Sequence, residues 1–167
     1  MAQLYPVPSN TDTAGEEDLN IEIAQDILNS IASGATLKDI CGIPADIMDA
    51  IYAHAYDMYQ KGLIDDARIF FEFLCMHDIY NADYMMGMAA VLQQKKDYFK
   101  AVQMYTLSHV LNNQNLRAKF YAGQCWLFLG DKLKAKECFT VVVENDAPDT
   151  LKKQARAYLA ALQTVAA

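Results

Sequence analysis

The 34 residues Met48–Asn81, MDAIYAHAYDMYQKGLIDDARIFFEFLCMHDIYN, decide the fold, because the same unit is written twice more before Asp149. Ala67, Ala101 and Ala135 fall 34 residues apart, and four further columns keep that step. Ala55, Ala89 and Gly123 form one small-residue column, and Phe71, Tyr105 and Phe139 form a ring column. Gly62, Lys96 and Gly130 mark a turn, and Ile51, Met85 and Lys119 open each unit. The reason for such columns is steric. Two antiparallel helices approach closely only where one offers Ala or Gly, and a large ring from the partner fills the space beside it. Lys96 in the turn column and Lys119 in the opening column depart from the pattern.

A 34-residue period with small residues at two places and an aromatic at a third is the tetratricopeptide pattern. The fold class is therefore all-α: a right-handed superhelix of three helix hairpins with an N-terminal helix and a C-terminal capping helix. The hairpins occupy 48–81, 82–115 and 116–149. Their helices are predicted over Ala45–Lys61 with Ile64–His77, Ala82–Lys95 with Tyr98–Leu111, and Leu116–Leu129 with Lys132–Glu144. Asn81 is placed to cap the second pair and Asn115 the third. From Pro148 a last helix runs to about Thr164, with Ala157 34 residues beyond Gly123. Such a cap ends the exposed face of the stack. The repeats and the capping helix together make one unit over 44–167.

Composition narrows the function. In 167 residues the apolar fraction is 53%, which with 7 Gly and 4 Pro argues for a packed core rather than disorder. A net charge of −7 repels phosphate backbones, so direct nucleic-acid binding is not expected. The longest apolar run, Tyr84–Leu92, is far short of the ~20 residues of a membrane span, and no secretory signal is expected in Met1–Gly15. Cys41, Cys75, Cys125 and Cys138 form no close metal-type pair, so reduced thiols serving as small hydrophobes are expected. No metal and no cofactor is expected. His54, His77 and His109 are scattered, and adjacent Asp65 and Asp66 point apart on a helix start, so catalysis is poorly supported.

Residues 1–12 read as a loose tail, and 13–43 as a helix and connector. Thr13 with Glu16 forms a capping box. Leu19, Ile23, Ile27 and Ile31 recur at steps of four beside Ala24 and Leu28, giving one apolar stripe closed by Gly34. The stripe either packs on its own first repeat or meets a second copy in a homodimer. Periodicity does not choose between them.

The inward face of such a stack is lined by the second, fifth, ninth and twelfth places of each first helix. These are Asp49, Tyr52, Tyr56 and Tyr59, then Asp83, Met86, Ala90 and Gln93, then Arg117, Phe120, Gln124 and Leu127. A tyrosine stripe at helical spacing is often core. Here Ala55, Ile51 and Met58 already hold the packing columns, which turns Tyr52, Tyr56 and Tyr59 to another side. Rings with polar tips offer area to apolar anchors and hydroxyls to a peptide backbone. A groove for an extended segment is the expected site.

The stretches Gly34-Ala-Thr-Leu-Lys-Asp-Ile40, Gly42-Ile-Pro44, Ile51-Tyr-Ala-His-Ala-Tyr56, Phe70-Phe-Glu-Phe-Leu-Cys75, Asp78-Ile-Tyr-Asn81, Met86-Gly-Met-Ala-Ala90 and Gly123-Gln-Cys125 resemble the class II chaperones of type III secretion. The resemblance runs from about Leu19 to Leu162. It implies a bacterial cytoplasmic protein that keeps two hydrophobic translocators soluble and apart until export, gripping extended chaperone-binding segments in the concave groove. It implies that Tyr52, Tyr56 and Tyr59 line that groove. It also implies dimerisation through Leu19, Ile23, Ile27, Leu28 and Ile31. Some members serve an AraC-type regulator as coactivators, which is the alternative role. Trp126 and Phe128 are larger than the family resemblance leads one to expect, so the far end of the groove is expected to differ in selectivity.

Overall fold

A computed structural model describes residues 13–164, with side chains from 21 to 163. The tail at 1–12, the Thr13–Glu16 cap and the side chain of Leu19 lie outside the described residues. Among those described, the chain is all helical: α1 (Thr13–Ala32), α2 (Leu37–Ile40), α3 (Ala45–Gln60), α4 (Ile64–His77), α5 (Ala82–Gln94), α6 (Tyr98–Leu111), α7 (Arg117–Phe128), α8 (Lys132–Glu144) and α9 (Asp149–Thr164). From α3 onward each helix packs on the next, and the first helices of successive hairpins also touch, α3 on α5 and α7 on α9. This is the tetratricopeptide-like stack.

The ends of the helices follow from local chemistry. Asn81 accepts hydrogen bonds from the Asp83 and Tyr84 amides, Asp97 from Lys100, and Asp131 from Lys134. The α3–α4 and α7–α8 turns need a left-handed residue, supplied by Gly62 (φ 76°) and Gly130 (φ 81°). Lys96 takes the same conformation at φ 63° in the middle hairpin, so the turn column is kept in geometry where it lapses in chemistry. A side chain there costs about 1–2 kcal/mol relative to glycine, which the flanking hairpin carries. Upstream, Thr36 donates its amide and hydroxyl to Asp39 to start α2, and Lys38 reaches Asp78 at 2.5 Å, which anchors α2 on the end of α4.

No hairpin buries its own face. Met48, Ala55, Ala67, Phe71 and Leu74 of the first close only against Tyr84 and Val91 of the second. Ala89, Ala101 and Tyr105 close against Ala118, Ala122, Cys125 and Cys138 of the third. The third closes against Leu151 and Ala155 of α9. The small residues of the repeat columns are fully covered: Ala55, Ala67, Ala89, Ala101 and Ala135 are all 0% exposed. In α9 the register moves by two residues. Ala155 is the buried small residue and Ala157 is exposed, because the short link through Asp146–Pro148 lets Leu151 and Ala155 face α8. Cys125 and Cys138 are buried, and burial pushes the Cys75 and Cys125 thiols up to about 12, so they stay protonated as apolar filler.

The apolar stripe of α1 is not packed on the first repeat. Ile23, Ile27, Leu28 and Ile31 are 38–64% exposed, and Ile21 beside them is exposed too. Of the two readings of the stripe, packing on the first repeat does not hold for these four residues.

Candidate functional site

The first helices of the three hairpins converge on one concave cavity of about 630 Å³. From α3 it receives Tyr52, Tyr56 and Tyr59. From α5 come Asp83, Met86, Gly87, Ala90, Gln93 and Gln94, and from α7 Arg117, Tyr121 and Gln124. Phe71 of α4 and Tyr105 of α6 reach through from the second helices to form the floor, and Asn115 stands at the start of α7. Nine of the twelve residues expected at the groove are therefore brought together.

Three are not. Asp49 is exposed one turn before Tyr52 and does not line the cavity. Phe120 is 3% exposed, edge-on to Phe139 at 5.6 Å and to Tyr158 at 5.8 Å, and Leu127 packs against the same core. The cause lies in the fifth place of the unit, which faces the first helix of whatever follows. In the first hairpin that place holds Tyr52, which leans on Tyr84 of α5 with its other side open to the cavity. In the third hairpin the following helix is α9, whose Tyr158 stacks on Phe139 at 4.8 Å and seals Phe120 in. The cavity face of α7 is accordingly Arg117, Tyr121 and Gln124, at i, i+4 and i+7.

Sequence reasoning missed Tyr121, Phe71, Tyr105, Asn115, Gly87 and Gln94. Phe71 and Tyr105 were legible as the ring column, but a packing role hides a second one. Gly87 carries the signal that would have exposed it: a glycine inside an apolar helix is costly unless something needs the space. A Cβ built there would stand 2.0 Å from the Phe71 ring.

The tyrosines differ in setting. Tyr56 is 49% exposed, while Tyr59 is half-buried. Tyr52 is half-buried between Phe71 at 6.0 Å and Tyr84 at 5.6 Å. Burial, then the Asp83 carboxylate, raises the Tyr52 pKa, with Arg117 acting the other way. Burial raises Tyr105 above the ordinary phenol range, and the buried hydroxyl donates to Gln93 Oε1 at 2.8 Å. Gln93 Nε2 donates to Gln124 Oε1 at 3.5 Å, and Gln124 Nε2 to the Tyr158 hydroxyl at 3.0 Å. The cavity thus presents aromatic rings together with carboxamides.

The family model for the tetratricopeptide repeat matches residues 48–81 and 82–115. The chain is 45% identical to the chaperone protein SicA of Salmonella typhimurium over 142 residues, 85% of this chain and 86% of that one. It belongs to the class II type III secretion chaperones. Solved structures of similar proteins carry the same fold. PcrH of Pseudomonas aeruginosa, solved with the chaperone binding region of PopD, superposes with a TM-score of 0.71 at 32% identity, covering 75% of this chain and 98% of that one. SycD of Yersinia enterocolitica, solved with a peptide of the translocator YopD, gives 0.71 at 26% identity with the same coverage.

Proposed function

We propose that this chaperone holds extended chaperone-binding segments of two hydrophobic translocator proteins in the concave cavity, keeping them soluble and apart in the bacterial cytoplasm before export. The observation that carries this reading is the open, tyrosine-lined cavity assembled from all three hairpins. The solved complexes of PcrH and SycD with translocator segments support it by likeness. Binding, not catalysis, is the activity this surface offers.

The test is co-expression followed by mapping. Each hydrophobic translocator secreted by the same organism is expected to be soluble with the chaperone and to aggregate without it. Short overlapping peptides of those translocators, titrated against the chaperone, are expected to converge on one contiguous stretch. Equal solubility in both cases, with no binding peptide, would remove the proposal.

We also propose that the exposed stripe of α1 is covered by a second copy. Replacing Ile23 and Ile27 by Asp is expected to halve the mass measured by light scattering while the helical circular dichroism persists. A wild-type monomer, or a variant that keeps the mass of two chains, would exclude that contact.

A further inference from the structure

One end of the cavity holds a run of side-chain hydrogen bonds across four helices, from Tyr105 on α6 through Gln93 on α5 and Gln124 on α7 to Tyr158 on α9. Its direction is set at the first member. Tyr105 is 2% exposed and its buried phenol remains protonated, so the hydroxyl presents a proton to Gln93. That proton turns the Gln93 oxygen toward Tyr105 and its nitrogen toward Gln124, and the Gln124 amide follows in the same sense. A carboxamide nitrogen has two N–H bonds. Each glutamine spends one within the run, and the second has no protein partner among the described residues. Both glutamines are half-buried and line the cavity.

We propose, resting on the peptide-groove reading above, that Gln93 and Gln124 are specificity-determining residues whose remaining N–H groups take main-chain carbonyl oxygens of the bound segment. Tyr158 is a positioning residue: it lies outside the cavity, between Phe120 and Phe139, and holds the Gln124 amide in its pose. Two consequences follow for the ligand. A helical segment has spent its carbonyls internally and leaves both donors unpaired, whereas an extended one offers them. An apolar side chain laid over the two amides strands the same donors. The anchors of the segment therefore seat against Tyr52, Tyr56, Tyr59 and Met86, and the stretch over Gln93 and Gln124 presents backbone, with a small or polar side chain.

The full chain is titrated with the tightest-binding peptide from the mapping above, and with derivatives in which one main-chain amide at a time is replaced by an ester, a weaker acceptor. In the wild type, one or two ester positions are expected to lose roughly tenfold in affinity. In Gln93→Met and Gln124→Met the loss at those positions shrinks below about twofold, while truncating the apolar anchors costs what it does in the wild type. Gln124→Met leaves the Tyr105–Gln93 bond in place and carries the test if Gln93→Met does not fold. Tyr158→Phe keeps the ring stack and is expected to flatten the same ester positions. Variants that retain the wild-type ester profile overturn the assignment and leave the groove reading standing. A wild type that binds no peptide takes down both.

Discussion

Gly87→Ala lowers the thermal midpoint by roughly 6–12 °C, although the same exchange at an ordinary helix position would raise stability by up to about 1 kcal/mol. The added Cβ stands 2.0 Å from Phe71 Cε1, 2.4 Å from Cζ and 2.6 Å from Cδ1. A rigid ring edge meets it, and Phe71 is 1% exposed and held edge-on by Tyr52, so the ring has nowhere to swing without disturbing its neighbours. Overpacking of this kind costs about 1–3 kcal/mol, and three ring atoms inside contact distance place it near the top of that range. For a chain of this length each kcal/mol moves the midpoint by about 2–4 °C. The decisive measurement is a double-mutant cycle with Phe71→Leu. Shortening the ring relieves the clash, so the double variant is expected to be more stable than the sum of the single losses by at least about 1 kcal/mol. Additivity, or a stabilised Gly87→Ala, would show that the helices slide apart freely here. Because Phe71 and Gly87 are also the cavity floor, the displaced ring alters the site as well as the core.

That pair marks the boundary of what the sequence makes legible. Repetition makes the hairpins visible: five columns at one step locate helices, turns and buried alanines, since each column reports the same steric demand three times. Lys96 shows the column outlasting its residue type, because the turn geometry is imposed from both sides. Where repetition stops, the reading degrades. Ala157 is exposed because the link before α9 has its own length, and no earlier unit reports it. Phe120 is core, with Leu127 partly buried against the same cluster, because α9 takes the place of a fourth hairpin and brings Tyr158 against Phe120. A per-unit inward pattern assumes identical neighbours, and the last unit has a different one. The carboxamide run is likewise invisible in sequence, since it joins residues 12 to 34 positions apart through side-chain geometry alone. The α1 stripe reads clearly as apolar, but a single chain does not say what covers it.

Tyr56→Ala combined with Tyr59→Ala is expected to weaken binding of the mapped translocator peptide on the order of a hundredfold or more, with the thermal midpoint lowered less than by Tyr52→Ala. Tyr56 is 49% exposed; Tyr59 is half-buried and packs partly against the core of the first hairpin, but neither has a close ring partner among the described residues, so the fold depends on them less than on Tyr52. Both line the cavity beside Met86 and Ala90, where an apolar anchor covers their faces and a main-chain group meets their hydroxyls. Losing one well-packed aromatic contact of this kind costs about 2 kcal/mol, or roughly thirtyfold, and neighbouring contacts add incompletely. Tyr52→Ala serves as the contrast. That ring packs on Phe71 and Tyr84, so its removal is expected to lower stability and affinity together. The pattern to look for in paired calorimetry and melting curves is therefore a split: affinity alone for Tyr56, chiefly affinity for Tyr59, and both quantities for Tyr52. If the double variant binds like the wild type while remaining folded, the tyrosine end of the cavity is not where the segment is held.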